Sequence, residues 1–158
     1  MNGDDGLDDL ELAFKLGLAF QLLISEFTAR GAEAGYGDLR PVHGLAFQAL
    51  GAEGATSSEL AQRLGVTKQA AGQIVDYLER HGYVERRPHP EGGRRKLVVL
   101  TSTALVHLRV AGRILQSLEA ELGDRIGAAE LGDLHAILGD LIRALTDGGP
   151  LPPLRPVW

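Results

Sequence analysis

The side chains able to do chemistry in this chain are mostly hydrogen-bond donors and cations. Gln69 and Gln73 stand four residues apart beside Thr67, Lys68 and Ala70, and Arg86, Arg87, Arg94, Arg95 and Lys96 crowd together further along. Gln can bond an adenine edge in bidentate fashion, an Ala methyl can touch a thymine methyl, and Lys can hold a phosphate or guanine. Such a set suits binding to a polyanion. Bond-breaking chemistry has no comparable set: no phosphate loop, serine elbow or HExxH helix occurs, and no acid pair stands in a readable catalytic context. With 0 Cys, a disulfide framework, a thiolate metal site, a cysteine nucleophile and a thiol switch are excluded. The five histidines (His43, His81, His89, His107, His135) are scattered, and a lone helical His is more often packed or solvated than a ligand. Neither an enzyme nor a cofactor is expected.

These residues must be held by elements whose signals are local. Leu7, Leu10, Phe14 and Leu18 follow one helical stripe, and Leu12, Leu16, Leu23 and Phe27 continue around another side of the same segment. A helix so apolar needs cover from more than its own domain. Gly31, Gly35 and Gly37 interrupt it, Pro41 opens a short helix through Leu50, and Gly51 and Gly54 close that one. Thr56-Ser57-Ser58-Glu59 reads as a capping box for a two-turn helix that buries Leu60, Ala61 and Leu64. Gly65 suits a left-handed stop, and Thr67 caps a second helix running to His81. Its inner stripe is Ala70, Ala71, Ile74, Val75 and Leu78, and its outer stripe is Gln69, Gly72, Gln73, Asp76 and Arg80. Tyr83 to Arg87 and Arg95 to Leu100 read as two strands around a tip of Pro88, Pro90, Gly92 and Gly93. Thr101 then caps a helix with Leu108, Ala111, Leu115, Leu118 and Leu122 at seam spacing, and after Gly127 the pattern repeats through Leu131, Leu134, Leu138, Leu141 and Leu145. From Gly148 onward an extended, proline-rich tail is expected, with Leu154, Val157 and Trp158 able to dock on a neighbour.

The fold class is thus mainly α with a small β wing, divided as an N-terminal dimerisation helix (1–35), a winged helix-turn-helix lobe (36–101) and a C-terminal dimerisation arm with its tail (102–158). At 158 residues, 44% hydrophobic and 23% charged, the chain can bury a real core. Its net charge of −5 is unevenly spread: residues 56–101 hold eight Lys or Arg against five acids, which leaves the remainder at −8. The apolar stretch Leu16 to Ser25, bounded by Lys15 and Glu26, falls short of a membrane span. The acidic start (Asp4, Asp5, Asp8, Asp9, Glu11) is the reverse of a secretory signal, so a cytoplasmic location is expected.

Helix, turn, helix and hairpin in this order form a winged helix-turn-helix, whose second helix fits a major groove ~12 Å wide while its wing reaches a minor groove. Gln69 and Gln73 are then the base readers, with Thr67, Lys68 and Ala70 on the same first turns. Ser57 and Ser58 meet phosphate, Arg94 enters the minor groove with Arg95 beside it, and Arg86 and Lys96 lie along the backbone. Asp76 would repel phosphate if it faced the groove, and Arg87 has Glu85 or Glu91 as a surface partner.

The run Leu60-Ala61 through Leu64-Gly65-Val66-Thr67-Lys68-Gln69, then Leu78-Glu79-Arg80-His81-Gly82-Tyr83-Val84-Glu85-Arg86, Pro88, Arg94 and Leu97-Val98-Val99-Leu100-Thr101, resembles the multiple-antibiotic-resistance regulator (MarR) family. The resemblance implies a homodimer joined by its first and last helices. It also implies two winged lobes on a palindromic operator in double-stranded DNA, and repression relieved by a small aromatic effector in a cleft between lobe and arm. Phe14, His43 and Phe47 are the candidates to line that cleft. Some relatives sense zinc, and Glu26, His43 and His107 fall near the ligand places, although Ala111 stands where a second His of a pair is found. The wing departs from the family pattern: Gly92-Gly93-Arg94 lacks the acid that braces the Arg, His89 follows the proline in place of Asp, and Ala104 replaces a frequent Gly. The rival reading is a winged-helix protein-interaction module that binds no DNA, which the −8 outside the lobe favours.

Overall fold

The computed structural model describes residues 6–156, so the expected docking of Val157 and Trp158 and the placement of Asp4 and Asp5 lie outside the described residues. Helix α1 spans Leu12–Gly31 and runs on into a π-helical turn at Ala32–Tyr36 that ends as Gly35 turns to φ 95°. Its start is later than the apolar stripe suggests. Leu7 and Leu10 form a turn closed by a 3.3 Å bond from the Leu10 N–H to the Leu7 carbonyl, and the helix begins without a side-chain cap at Glu11.

The lobe consists of α2 (Pro41–Leu50), α3 (Ser57–Leu64), α4 (Lys68–Arg80) and an antiparallel hairpin of β1 (Val84–Pro88) and β2 (Lys96–Leu100), each strand starting one residue later than its sequence pattern suggests. Thr56 and Glu59 make the expected reciprocal cap: the Glu59 N–H donates to the Thr56 hydroxyl at 3.2 Å and the Thr56 N–H to the Glu59 carboxylate at 2.7 Å. Gly65 takes φ 68°, and the N–H of Val66 closes the turn on the Ala61 carbonyl. Thr67 caps α4 by accepting from the Ala70 N–H at 3.1 Å. Gly54 (φ +77°) passes so close to β2 that a Cβ there would stand 2.4 Å from the Val98 carbonyl, and Ala55 pairs with Val98 as a one-residue extension of the sheet. Phe47, Leu50, Leu60, Leu64, Val75, Leu78, Val84 and Val98 fill the core, to which Ala104 and Leu108 from the following helix are added, so the lobe is stabilised by apolar burial that includes the start of the arm.

Helices α5 (Ser102–Ile126) and α6 (Ala128–Leu145) form the arm, joined at Gly127 with φ 105°. The Thr101 hydroxyl accepts from the Ala104 N–H and donates to the Gly82 carbonyl at 2.6 Å, which ties the start of α5 to the lobe. Arg30 of α1 forks onto Glu121 of α5 with two bonds of 2.7 Å and also reaches Glu26. Beyond these ties the arm is uncovered: α1 and α6 bury no residue, and Phe14, Leu22 and Ile137 are 63%, 60% and 63% exposed.

The expectation that no segment approaches membrane length is corrected here. The helix Leu12–Tyr36 is long and apolar enough to cross a membrane by length and composition, its most apolar 18 residues having a mean hydropathy of 1.4. The stretch that looked short is lengthened by Leu12, Ala13 and Phe14 before Lys15 and by Phe27 after Glu26, so that two charges interrupt it without ending it. Lys15, Glu26 and Arg30 lie within it, and Arg30 is committed to α5.

Candidate nucleic-acid interface

Helix α4 is divided lengthwise by its burial. Ala71, Val75 and Leu78 are fully buried, whereas Lys68, Gln69 and Gln73 are exposed and Ala70 is half-buried. The amphipathic spacing alone produces this division: the small and aliphatic residues seat the helix on α3 and leave the amides outward. Thr67 is exposed, but its hydroxyl is engaged in capping, so it positions the helix start. Ser57 and Ser58 open α3, half-buried and exposed respectively, next to unpaired amides that favour an anion.

On the wing, Arg94, Arg95 and Lys96 are all exposed. The tip that lacks an acid is closed by backbone: the Gly92 N–H donates to the His89 carbonyl at 2.9 Å, and Gly92 and Gly93 take φ of 79° and 83°. Glu91 sits 3.3 Å from Arg95, so the available acid braces Arg95 and leaves Arg94 without an ion pair among the described residues. Lys68 and Lys96 likewise have none among the described residues. Arg87 pairs with Glu85.

Arg86 is placed otherwise than the sequence suggests. Its guanidinium bridges from β1 to α4, bonding Asp76 at 2.5 Å and Glu79 more closely still, with its side chain 28% exposed. An Arg spent on two carboxylates is not free to follow a phosphate backbone. It neutralises Asp76, the acid that would repel phosphate, and fixes the wing to α4. No periodic pattern announces this link, because its partners lie seven and ten residues away on another element.

The candidate ligand residues do not form one cleft. His43 and Phe47 are 5% and 1% exposed inside the lobe, while Phe14 faces outward on α1. His43 stacks on Tyr77 with ring centres 4.6 Å apart, and Tyr77 stacks on His81 at 4.1 Å. Phe47, Tyr83 and Tyr36 surround His107, the nearest being Tyr36 at 4.5 Å. Asp38 holds this junction together: its carboxylate accepts from the Tyr83 hydroxyl at 3.2 Å and its carbonyl from the Tyr77 hydroxyl at 2.6 Å. Burial, followed by the Asp38 charge, pushes the Tyr83 hydroxyl up to about 12. Burial also lowers His43 and His107 below their ordinary value, and the His107 Nδ1 has no hydrogen-bond partner among the described residues.

The zinc set is not assembled. Glu26 pairs with Arg30 at 2.8 Å, the His43 Nδ1 accepts from the Arg40 N–H at 3.0 Å, and no metal-binding cluster of His, Asp or Glu occurs among the described residues. Glu26, His43 and His107 are each engaged or enclosed separately.

The fold and the exposed face of α4 define a winged helix-turn-helix protein with a helical arm. A family model described as MarR family matches residues 38–95, which is the winged lobe. Wild-type MarR in its apo form from E. coli superposes with a TM-score of 0.70 at 23% identity, covering 84% of this chain and 98% of that one. The Mycobacterium tuberculosis MarR family protein RV2887, in complex with salicylic acid, gives 0.65 at 25% identity over 85% and 98%. The Streptomyces coelicolor transcriptional regulator PcaV, in complex with its natural ligand, gives 0.60 at 26% over 86% and 89%. No curated protein sequence matches the chain. The likeness to the MarR family is thus carried by the winged lobe, and the arm around it follows the same fold.

Proposed function

We propose that the protein is a cytoplasmic homodimeric, sequence-specific DNA-binding transcriptional regulator, a repressor that leaves a palindromic operator when a small aromatic effector binds. The observation that carries this reading is α4: a helix seated by a fully buried stripe and left with Lys68, Gln69 and Gln73 exposed at its start. Gln69 and Gln73 read base edges, Lys68, Ser57 and Ser58 hold phosphate, and Arg94, Arg95 and Lys96 serve the minor groove and its rim. Arg86 contributes by bracing.

A second copy covers the apolar sides of α1, α5 and α6, since bare faces of this size mark an interface. Lys15, Glu26 and Arg30 favour that cover over lipid, because charges inside a bilayer are costly. The effector is a small aromatic acid, by analogy with the salicylic acid held by RV2887. It enters between lobe and arm near His43 and Phe47, which are buried and must shift to admit it. Mobility shift at graded salt tests the reading: duplex binding that weakens steeply with salt is expected. Docking to a protein with no duplex binding even at low salt would instead establish the interaction-module reading.

A further inference from the structure

The segment after α6 crosses back to the lobe. Gly148 turns at φ 70°, and the chain then runs without regular structure through Pro150, Pro152, Pro153 and Pro156. At its far end the Arg155 Nε–H donates to the Arg63 carbonyl and its Nη2–H to the Gln62 carbonyl, each at 3.2 Å. Both acceptors lie in the last turn of α3, where backbone carbonyls point outward and a cation is favoured. Gly65 leaves the room for this contact, since a Cβ there would stand 2.9 Å from the Arg155 Cδ. The remainder of the segment has little grip: Leu151 and Leu154 are 73% and 59% exposed.

We propose that residues 148–156 form a detachable strap between the arm and the helix-turn-helix, with Arg155 as its buckle. Fixed φ at the prolines makes the segment a strut rather than slack chain, and the eight residues from 148 to 155 can reach ~25 Å. Fastened, the strap ties the direction of α6 to the α3–α4 turn, which leads straight into Thr67, Lys68 and Gln69. The lobe is also joined to the arm at the β2–α5 connection, through the turn from α1 into α2 and by the packing of His107 on Tyr36, Phe47 and Tyr83, so the strap is an added restraint on its swing, at the far side of the helix-turn-helix. Two exposed hydrogen bonds without apolar cover open readily, which makes the restraint releasable. The consequence for duplex binding rests on the function proposed above; the strap itself does not.

The chain contains 0 Cys, so paired spin labels at Arg80→Cys in α4 and Asp133→Cys in α6 report one distance when labelled protein is diluted with unlabelled chain. A narrow distribution is expected for the fastened protein, broadening at least about twofold in Arg155→Ala and in a chain truncated after Asp147. Amide exchange at Gly65 and Val66 should quicken about fivefold in Arg155→Ala, a readout that needs no label. Unchanged widths and exchange rates overturn the strap. On selected duplexes Arg155→Ala should bind about tenfold more weakly, because loosened lobes must be reordered on the DNA. Unchanged affinity beside a broadened distance overturns the coupling to the reading helix. Absence of duplex binding in the wild type overturns the proposed function alone and leaves the distance result to judge the strap.

Discussion

At the scale of single residues, Lys68 and Gln73 separate the two kinds of contact proposed for the interface. Gln73→Ala should cost about 1–3 kcal/mol at one base pair and leave non-specific binding intact, whereas Lys68→Ala should weaken binding to all sequences and lower the salt slope by about one. Titrations on matched and mismatched duplexes check both, and equal losses on operator and random DNA would contradict the Gln73 role. Arg86 is tested by rescue. Arg86→Ala exposes the Asp76 and Glu79 carboxylates and should weaken binding, and adding Asp76→Asn and Glu79→Gln should restore most of the loss. A direct phosphate ligand would show no rescue. His107 gives a pH signature: burial lowers its pKa in the folded chain below the ordinary histidine value, so the unfolded chain binds the extra proton first. Its contribution is therefore intact above about pH 6.5 and declines as the pH falls below that value. The melting temperature should drop between about pH 7 and 5, and less steeply in His107→Phe, with His43 supplying the residual slope.

At the scale of elements, what was legible in the sequence is what local chemistry dictates. Thr56 with Glu59, Gly65, Thr67, Thr101 and Gly127 mark their boundaries because a cap or a left-handed residue acts within a few positions of itself. The buried stripe of α4 follows from period alone, and with it the exposure of Gln69 and Gln73. Long-range partners were not legible. The reach of Arg86 to α4, the tyrosine hydroxyls on Asp38 and the grip of Arg155 on α3 join residues that no spacing connects. Likewise, Gly54 reads as a helix stop, while its structural task is to let the backbone approach β2. Gly54→Ala should therefore cost about 1–3 kcal/mol, where an unstrained Gly→Ala change would stabilise. Urea denaturation measures it, and a neutral result would show that β2 yields easily.

At the scale of the whole molecule, two ledgers of surface separate lobe from arm. The lobe closes its core with the start of α5, while α1 and α6 keep their apolar side chains outside, which is the ground for proposing that a second copy completes the arm. Leu22→Glu or Ile137→Glu should turn the dimer into a monomer by sedimentation and reduce operator affinity at least about a hundredfold, since each lobe then binds alone. A dimer that survives both changes would place the interface elsewhere. Two lobes related by a twofold axis must meet two half-sites of opposite orientation. The most direct measurement is selection of bound duplexes from a random pool by the wild-type protein. The account predicts an enriched inverted repeat with half-sites ~34 Å apart, about one helical turn. A pool that gains no sequence, or only an unrepeated one, would contradict it.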